Sequence, residues 1–176
     1  LLHDSHRIRR WRIGLPDQLR TFTRADVVRF YRNFYTPSNT VLAIAGDVDP
    51  VATIERVRQL YGTLASGEPV RTPGPVEPER TGFRYQEMSG DVEQTQVEIG
   101  WRGVPALHED LPALDLAAAV LGSGRASRLY RAVRDRKLAG STGAYNYSPA
   151  EVGVFVVSSE GDPATAADAA RAIGGI

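Results

Sequence analysis

Apolar positions in the first third of the chain fall at helical spacing. Val27, Tyr31 and Phe34 recur at i, i+4 and i+7 with Phe30 beside them, so residues 24–35 carry one apolar face. Thr23 stands at the N-cap with Asp26 three residues on, a capping-box arrangement, and Pro37 with Ser38 and Asn39 ends the helix in a turn. Val41, Leu42, Ala43, Ile44 and Ala45 then form a continuous apolar run, which predicts a strand covered on both faces. Gly46 and Asp47 break it. Asp49 and Pro50 supply a cap and a first-turn proline for a second helix, in which Val51, Ile54, Val57 and Leu60 recur every three residues and which Gly62 closes.

Periodicity disappears over residues 65–81, where Pro69, Pro73, Pro75 and Pro78 sit with Gly67 and Gly74, the composition of a semi-extended connector. It returns near Gly82. Phe83 and Tyr85 alternate with polar neighbours, as do Val97, Ile99 and Trp101, predicting two half-buried strands. Leu111, Leu114, Ala118 and Leu121 make a stripe on a helix over 108–121, and Leu129 and Val133 mark a second helix over 123–136. Residues 141–147 and 152–158 read as a strand pair joined at Ser148, Pro149 and Ala150, and Asp162 with Pro163 opens a last alanine-rich helix. The order β-β-α-α-β-β-α predicts an α+β fold: an antiparallel or mixed sheet with helices packed on one face. The expected organisation is a first block over 1–64, the connector over 65–81 and a second block over 82–176.

Composition narrows the chemistry. Lys+Arg and Asp+Glu are 21 each, so net charge points to no nucleic-acid partner. Lys137 is the one lysine, and there is no cysteine, which excludes thiolate catalysis, disulfides and zinc ribbons while leaving the compartment, cytoplasmic or periplasmic, open. No apolar run approaches the roughly 20 residues of a membrane helix, so no membrane partner is expected. The chain opens on Leu1 and stops after an unfinished helical pattern, which reads as a chain truncated at both ends.

Zinc hydrolysis needs three protein ligands and an open position for water. The chain has three histidines. His3 and His6 are three apart with no glutamate base at the required offset, and read as surface residues; His108, before Glu109 and Asp110, reads as solvated or cap-adjacent. No metal site is assembled from them. Gly122, Ser123 and Gly124 lack both the nucleophile-elbow and the phosphate-loop pattern and read as a helix–helix turn. Two basic features remain. His6, Arg7, Arg9, Arg10, Trp11 and Arg12 form a tract that reads as a solvated segment, with anion or nucleic-acid binding as the sharper alternative. Arg125, Arg128, Arg131 and Arg134 recur every three residues; the plain reading is an exposed face, and the functional one is a holder of peptide carboxylates or carbonyls, which suit the guanidinium fork.

The stretch from Tyr35 to Asp49, with Tyr35, Pro37, Asn39, Gly46 and Asp47 in order, resembles a segment of the pitrilysin/insulinase family of zinc metallopeptidases, which includes mitochondrial processing peptidase. Residues 94–101 resemble the strand that opens the family's next domain, and 122–134 its helix pair. The resemblance spans nearly the whole chain. It implies that 1–64 is the C-terminal part of one peptidase-type domain and 82–176 the N-terminal part of the next. It further implies that the zinc ligands and the base lie upstream of these residues, so that no catalytic residue and no cofactor is expected here, while zinc is expected in the intact parent. The family also uses an arginine, followed seven residues later by a tyrosine, to hold the substrate backbone. Arg134 matches the arginine, but the stretch from Arg134 to Ser141 is one residue short of the pattern, so that Gly140 falls where the tyrosine would align, and Tyr145 and Tyr147 lie further on. That departure implies a metal-bearing parent half paired with another half that supplies the clamp.

The function expected is therefore a fragment of a zinc-dependent endopeptidase, itself inactive, with Arg134 as a substrate contact. Its partners would be a peptide substrate and the other half, or partner subunit, of a clamshell. A non-catalytic structural subunit of the same fold is the alternative, and an anion- or nucleic-acid-binding module the third reading.

Overall fold

The computed structural model describes residues 2–10, 12–68 and 74–176. Residues 69–73 of the expected connector, and Trp11 of the basic tract, lie outside them. The chain separates into two compact units, one made of residues 2–9 with Val76–Ile176 and the other lying within 10–75. The first few residues thus group with the second block of the sequence, not with the first.

In the 10–75 unit, helix α1 (Pro16–Thr21) precedes α2 (Arg24–Phe34). The N-terminus of α2 is closed reciprocally: Asp26 N–H donates to Thr23 Oγ1 at 3.2 Å, and Thr23 N–H donates to Asp26 Oδ2 at 3.0 Å. Helix α3 (Pro50–Tyr61) starts from Asp49, whose Oδ1 accepts the Ala52 N–H at 2.7 Å. The apolar run between the helices departs from expectation. Residues 41–45 lie in no ladder, and Val41 is 95% exposed. A strand exists only with a neighbour to receive its N–H and C=O groups, and among the described residues none lies beside this one.

The other unit holds a three-stranded antiparallel sheet. Strands β1 (Thr95–Gly103), β2 (Ser141–Tyr147) and β3 (Gly153–Gly161) lie in the order β1-β3-β2, with Ile99 opposite Val157 and Ala144 also opposite Val157. Helices α4 (Leu111–Gly122) and α5 (Ala166–Gly174) supply Ala118, Ala169 and Ile173 to the core, which Phe155 and Val157 of the central strand complete. Leu129 and Val133 are its largest fully buried side chains, at 1% and 0% exposure.

Two expected elements are absent or changed. Phe83 and Tyr85 are exposed and in no strand. The helix expected over 123–136 is reduced to a π-helical turn, Tyr130–Arg134, in which Asp135 N–H reaches back five residues to the Tyr130 carbonyl at 2.9 Å. Residues 123–127 are spent on turns after α4 instead. Gly122 packs so closely on β2 that a Cβ there would strike the Ala144 nitrogen, and Gly124 has φ +77°.

Candidate functional site

The expected surface histidines are not on the surface. His3 is 9% exposed and His6 6%, with ring centroids 6.1 Å apart. Their burial follows from a side-chain network that ties residues 2–9 down. Glu77 accepts the backbone N–H groups of Asp4, Ser5 and His6 at 2.5, 2.9 and 2.7 Å. Arg102 of β1 donates to the Leu2 carbonyl at 2.8 Å, the Pro78 carbonyl at 2.7 Å and Glu77 at 3.0 Å. Asp4 pairs with Arg84 and Arg80, and Glu151 with Arg7 at 2.5 Å. The Nδ1 of His6 accepts the Ile8 N–H at 3.2 Å, so its Nε2 carries the proton that is donated to Glu151 at 3.0 Å. Arg102 and Gly100 point to the side of β1 away from Ile99, since successive residues alternate faces; Leu2 sits over Gly100 there.

Titration follows from this packing. Burial and the neighbouring Arg102 hold His3 below its ordinary value. Burial pushes Glu77 up, but the donated His6 and Ser5 amides and the Arg102 charge outweigh it, and its carboxyl lies below the ordinary range. His108 behaves as expected of a helix-start residue: its Nδ1 accepts the Asp110 N–H at 3.1 Å. Among the described residues no group of three His, Cys, Asp or Glu could hold a metal ion. His3 and His6 lie beside Glu77 and Glu151, but those carboxylates are taken up by amides and guanidinium groups. The described residues therefore do not fit zinc.

Arg134 occupies the last position of the π-helical turn and is exposed. Its guanidinium carbon lies 6.0 Å from the centre of the Tyr130 ring, and that of Arg125 lies 5.7 Å from the same ring. Beside them opens a hollow of about 530 Å³, lined by Gln94, Tyr130, Arg134, Lys137, Asp162 and Thr165 among others. Gly140 lines it as well, where the family pattern would place a tyrosine; Tyr145 and Tyr147 are half-exposed on β2. Tyr130 is the residue that the sequence analysis passed over. The signal was available in its i, i+4 spacing to Arg134, whereas the approach of Arg125 depends on the turn at Gly124.

The chain matches the family described as the peptidase M16 inactive domain over residues 21–173. The chain belongs to that family. It is 30% identical over 162 residues to the zinc protease PqqE of Helicobacter pylori, covering 89% of this chain and 36% of the relative. A crystal structure of a protease from Helicobacter pylori superposes with a TM-score of 0.78 at 28% identity, over 90% of this chain and 40% of that one. A peptidase M16 inactive domain from Pseudomonas fluorescens shares the fold, with a TM-score of 0.77 at 21% identity over 99% of this chain and 43% of its own. The chain thus spans less than half the length of these relatives.

Proposed function

We propose that this chain is the non-catalytic part of a zinc-dependent endopeptidase, with zinc and the base supplied by polypeptide outside these residues and Arg134 contacting the peptide backbone. One observation carries the reading. A fold shared with zinc proteases is present, while its described residues contain no group able to hold the metal. The zinc-bearing half, on the same polypeptide or on a partner subunit, would activate the attacking water. The present residues would wall the chamber and touch substrate through an exposed guanidinium, whose planar fork suits a peptide carbonyl or carboxylate, while the other half supplies the full arginine–tyrosine clamp.

The unit within 10–75 supports the same reading. Its 41–45 run and the exposed apolar residues of α2 and α3, among them Phe30, Tyr31 and Ile54, are what a peptidase-type domain leaves open when its sheet is elsewhere. The test is zinc content and cleavage of an unstructured fluorogenic peptide, measured on this chain and on the complete polypeptide to which it belongs. Zinc and cleavage in the complete protein, with neither in this chain, is the expected result. Neither in the complete protein would replace the reading with a structural subunit.

A further inference from the structure

The arginines of this protein are not evenly neutralised. Arg7, Arg20, Arg29, Arg58, Arg80, Arg84, Arg102 and Arg171 each pair with a carboxylate. Among the described residues, Arg9, Arg10, Arg12, Arg24, Arg32 and Arg56 are in no such pair but are spread over the first 56 residues, whereas from 125 to 137 the unpaired cations crowd into one short segment. Arg125, Arg128, Arg131, Arg134, Arg136 and Lys137 are all exposed, Asp135 is the one acid among them in sequence, and none of the six is in an ion pair with a described residue. Two of them, Arg125 and Arg134, converge on the single ring of Tyr130 at 5.7 and 6.0 Å. Exposed guanidinium groups with no carboxylate partner keep their charge-assisted donors available to an incoming anion.

We propose that Arg125, Tyr130 and Arg134, with Lys137 at the edge of the adjoining hollow, form a docking surface for an acidic peptide segment, with carboxylates seated on the guanidinium groups. The hollow accommodates a few side chains and mixes signs: Lys137 and Arg134 line it with Asp162, while Gln94 and Thr165 offer neutral hydrogen-bonding groups. That mixture suits a peptide, whose carboxylates alternate with amides, better than a phosphate backbone carrying a charge at every step. Lys137 is held at φ +57°, and its N–H donates to the Arg134 carbonyl at 2.9 Å, so the lysine backbone is fixed just past the turn that carries Arg134. Tyr130 acts as a positioning residue. Its ring gives both guanidinium groups a common platform, and its backbone carbonyl closes the turn. The inference takes from the proposed function only that the chain meets peptides, and names which ones.

The experiment is fluorescence anisotropy with this chain and a short labelled Glu-rich peptide, against its Gln-rich counterpart and a single-stranded oligonucleotide. Binding of the Glu-rich peptide alone, weakening as salt rises from about 50 to 200 mM, is expected. The double substitution Arg125→Gln, Arg134→Gln should weaken it by about tenfold or more, from loss of charge-assisted hydrogen bonds. Tyr130→Leu, which keeps the charges, should weaken it less while lowering the preference for Glu over Gln. As a control, Arg9→Gln with Arg10→Gln should leave it unchanged, and circular dichroism checks that each variant is folded. Equal binding of the oligonucleotide, equal loss in the control, or no binding at low salt would each overturn the proposal. None of those outcomes bears on whether the complete protein holds zinc and cleaves peptides, so the two readings fail separately.

Discussion

The carboxylate of Glu77 accepts the backbone N–H of His6 at 2.7 Å, across 71 positions of sequence. Together with the Asp4 and Ser5 amides it forms a three-donor cradle for one carboxylate, and Arg102 closes the fourth side. Backbone donors aimed at a charge are stronger than neutral hydrogen bonds, so this cradle fixes residues 2–9 against the sheet. Glu77→Gln keeps the shape and removes the charge. The expected outcome is exchange of the Asp4, Ser5 and His6 amides at least about tenfold faster, read by hydrogen–deuterium exchange, with the β3 amides unchanged.

Acid should loosen the same attachment in two stages. His3 has a depressed native value, so its contribution is complete above its ordinary 6.5 and is lost as pH falls through the lowered native value. Glu77 is likewise depressed, so its contribution is present above its ordinary 4.5 and disappears as pH falls through its native value. Proteolysis at Arg9 and Arg10, followed from pH 8 downward with an acid-tolerant protease, should show cleavage rising first below about pH 6.5. His3→Gln should abolish that first stage and leave the second.

The centre of the larger unit is Leu129 and Val133, both on or beside the π-helical turn. Leu129→Ala removes a fully buried side chain and leaves a cavity, which should cost about 2–5 kcal/mol in denaturant unfolding. Gly122→Ala should also destabilise, by steric conflict with the backbone at Ala144 instead of by a cavity. A thermal melt of Gly122→Ala matching that of the unaltered protein would refute this close approach.

If the 10–75 unit belongs to a larger peptidase-type domain, its apolar run must find ladder partners there. The amides of 41–45 should exchange about a hundredfold slower in the complete polypeptide than in this chain. Val41→Asp should be silent in this chain, where the side chain is in water, and destabilising in the complete protein.

How much of this was legible in the sequence differs between elements. Helices α2, α3 and α4 were readable because their signals are local: a cap three residues from its acceptor, a proline in the first turn, apolar residues at i and i+3 or i+4. Strands β1, β2 and β3 were readable from alternation and from the Ser148–Pro149 turn. The expected strands at 41–45 and 83–85 carry the same local pattern but form no ladder, because pairing depends on a distant segment that periodicity does not register.

At the site the division is sharper. The residues alone determined that no thiol chemistry is possible, that His3 and His6 have no glutamate base at the required offset, and that a cationic stripe runs from Arg125 to Arg134. Only the tertiary structure decided that His3 and His6 are buried, because Glu77, Arg102 and Glu151 reach them from positions far along the chain. It also decided that Arg125 and Arg134 share one aromatic ring, since that depends on the turn at Gly124 and the widened turn after it. Local spacing fixes which face of an element a side chain occupies. Which charges meet across that face is fixed by contacts whose partners are dozens of residues apart.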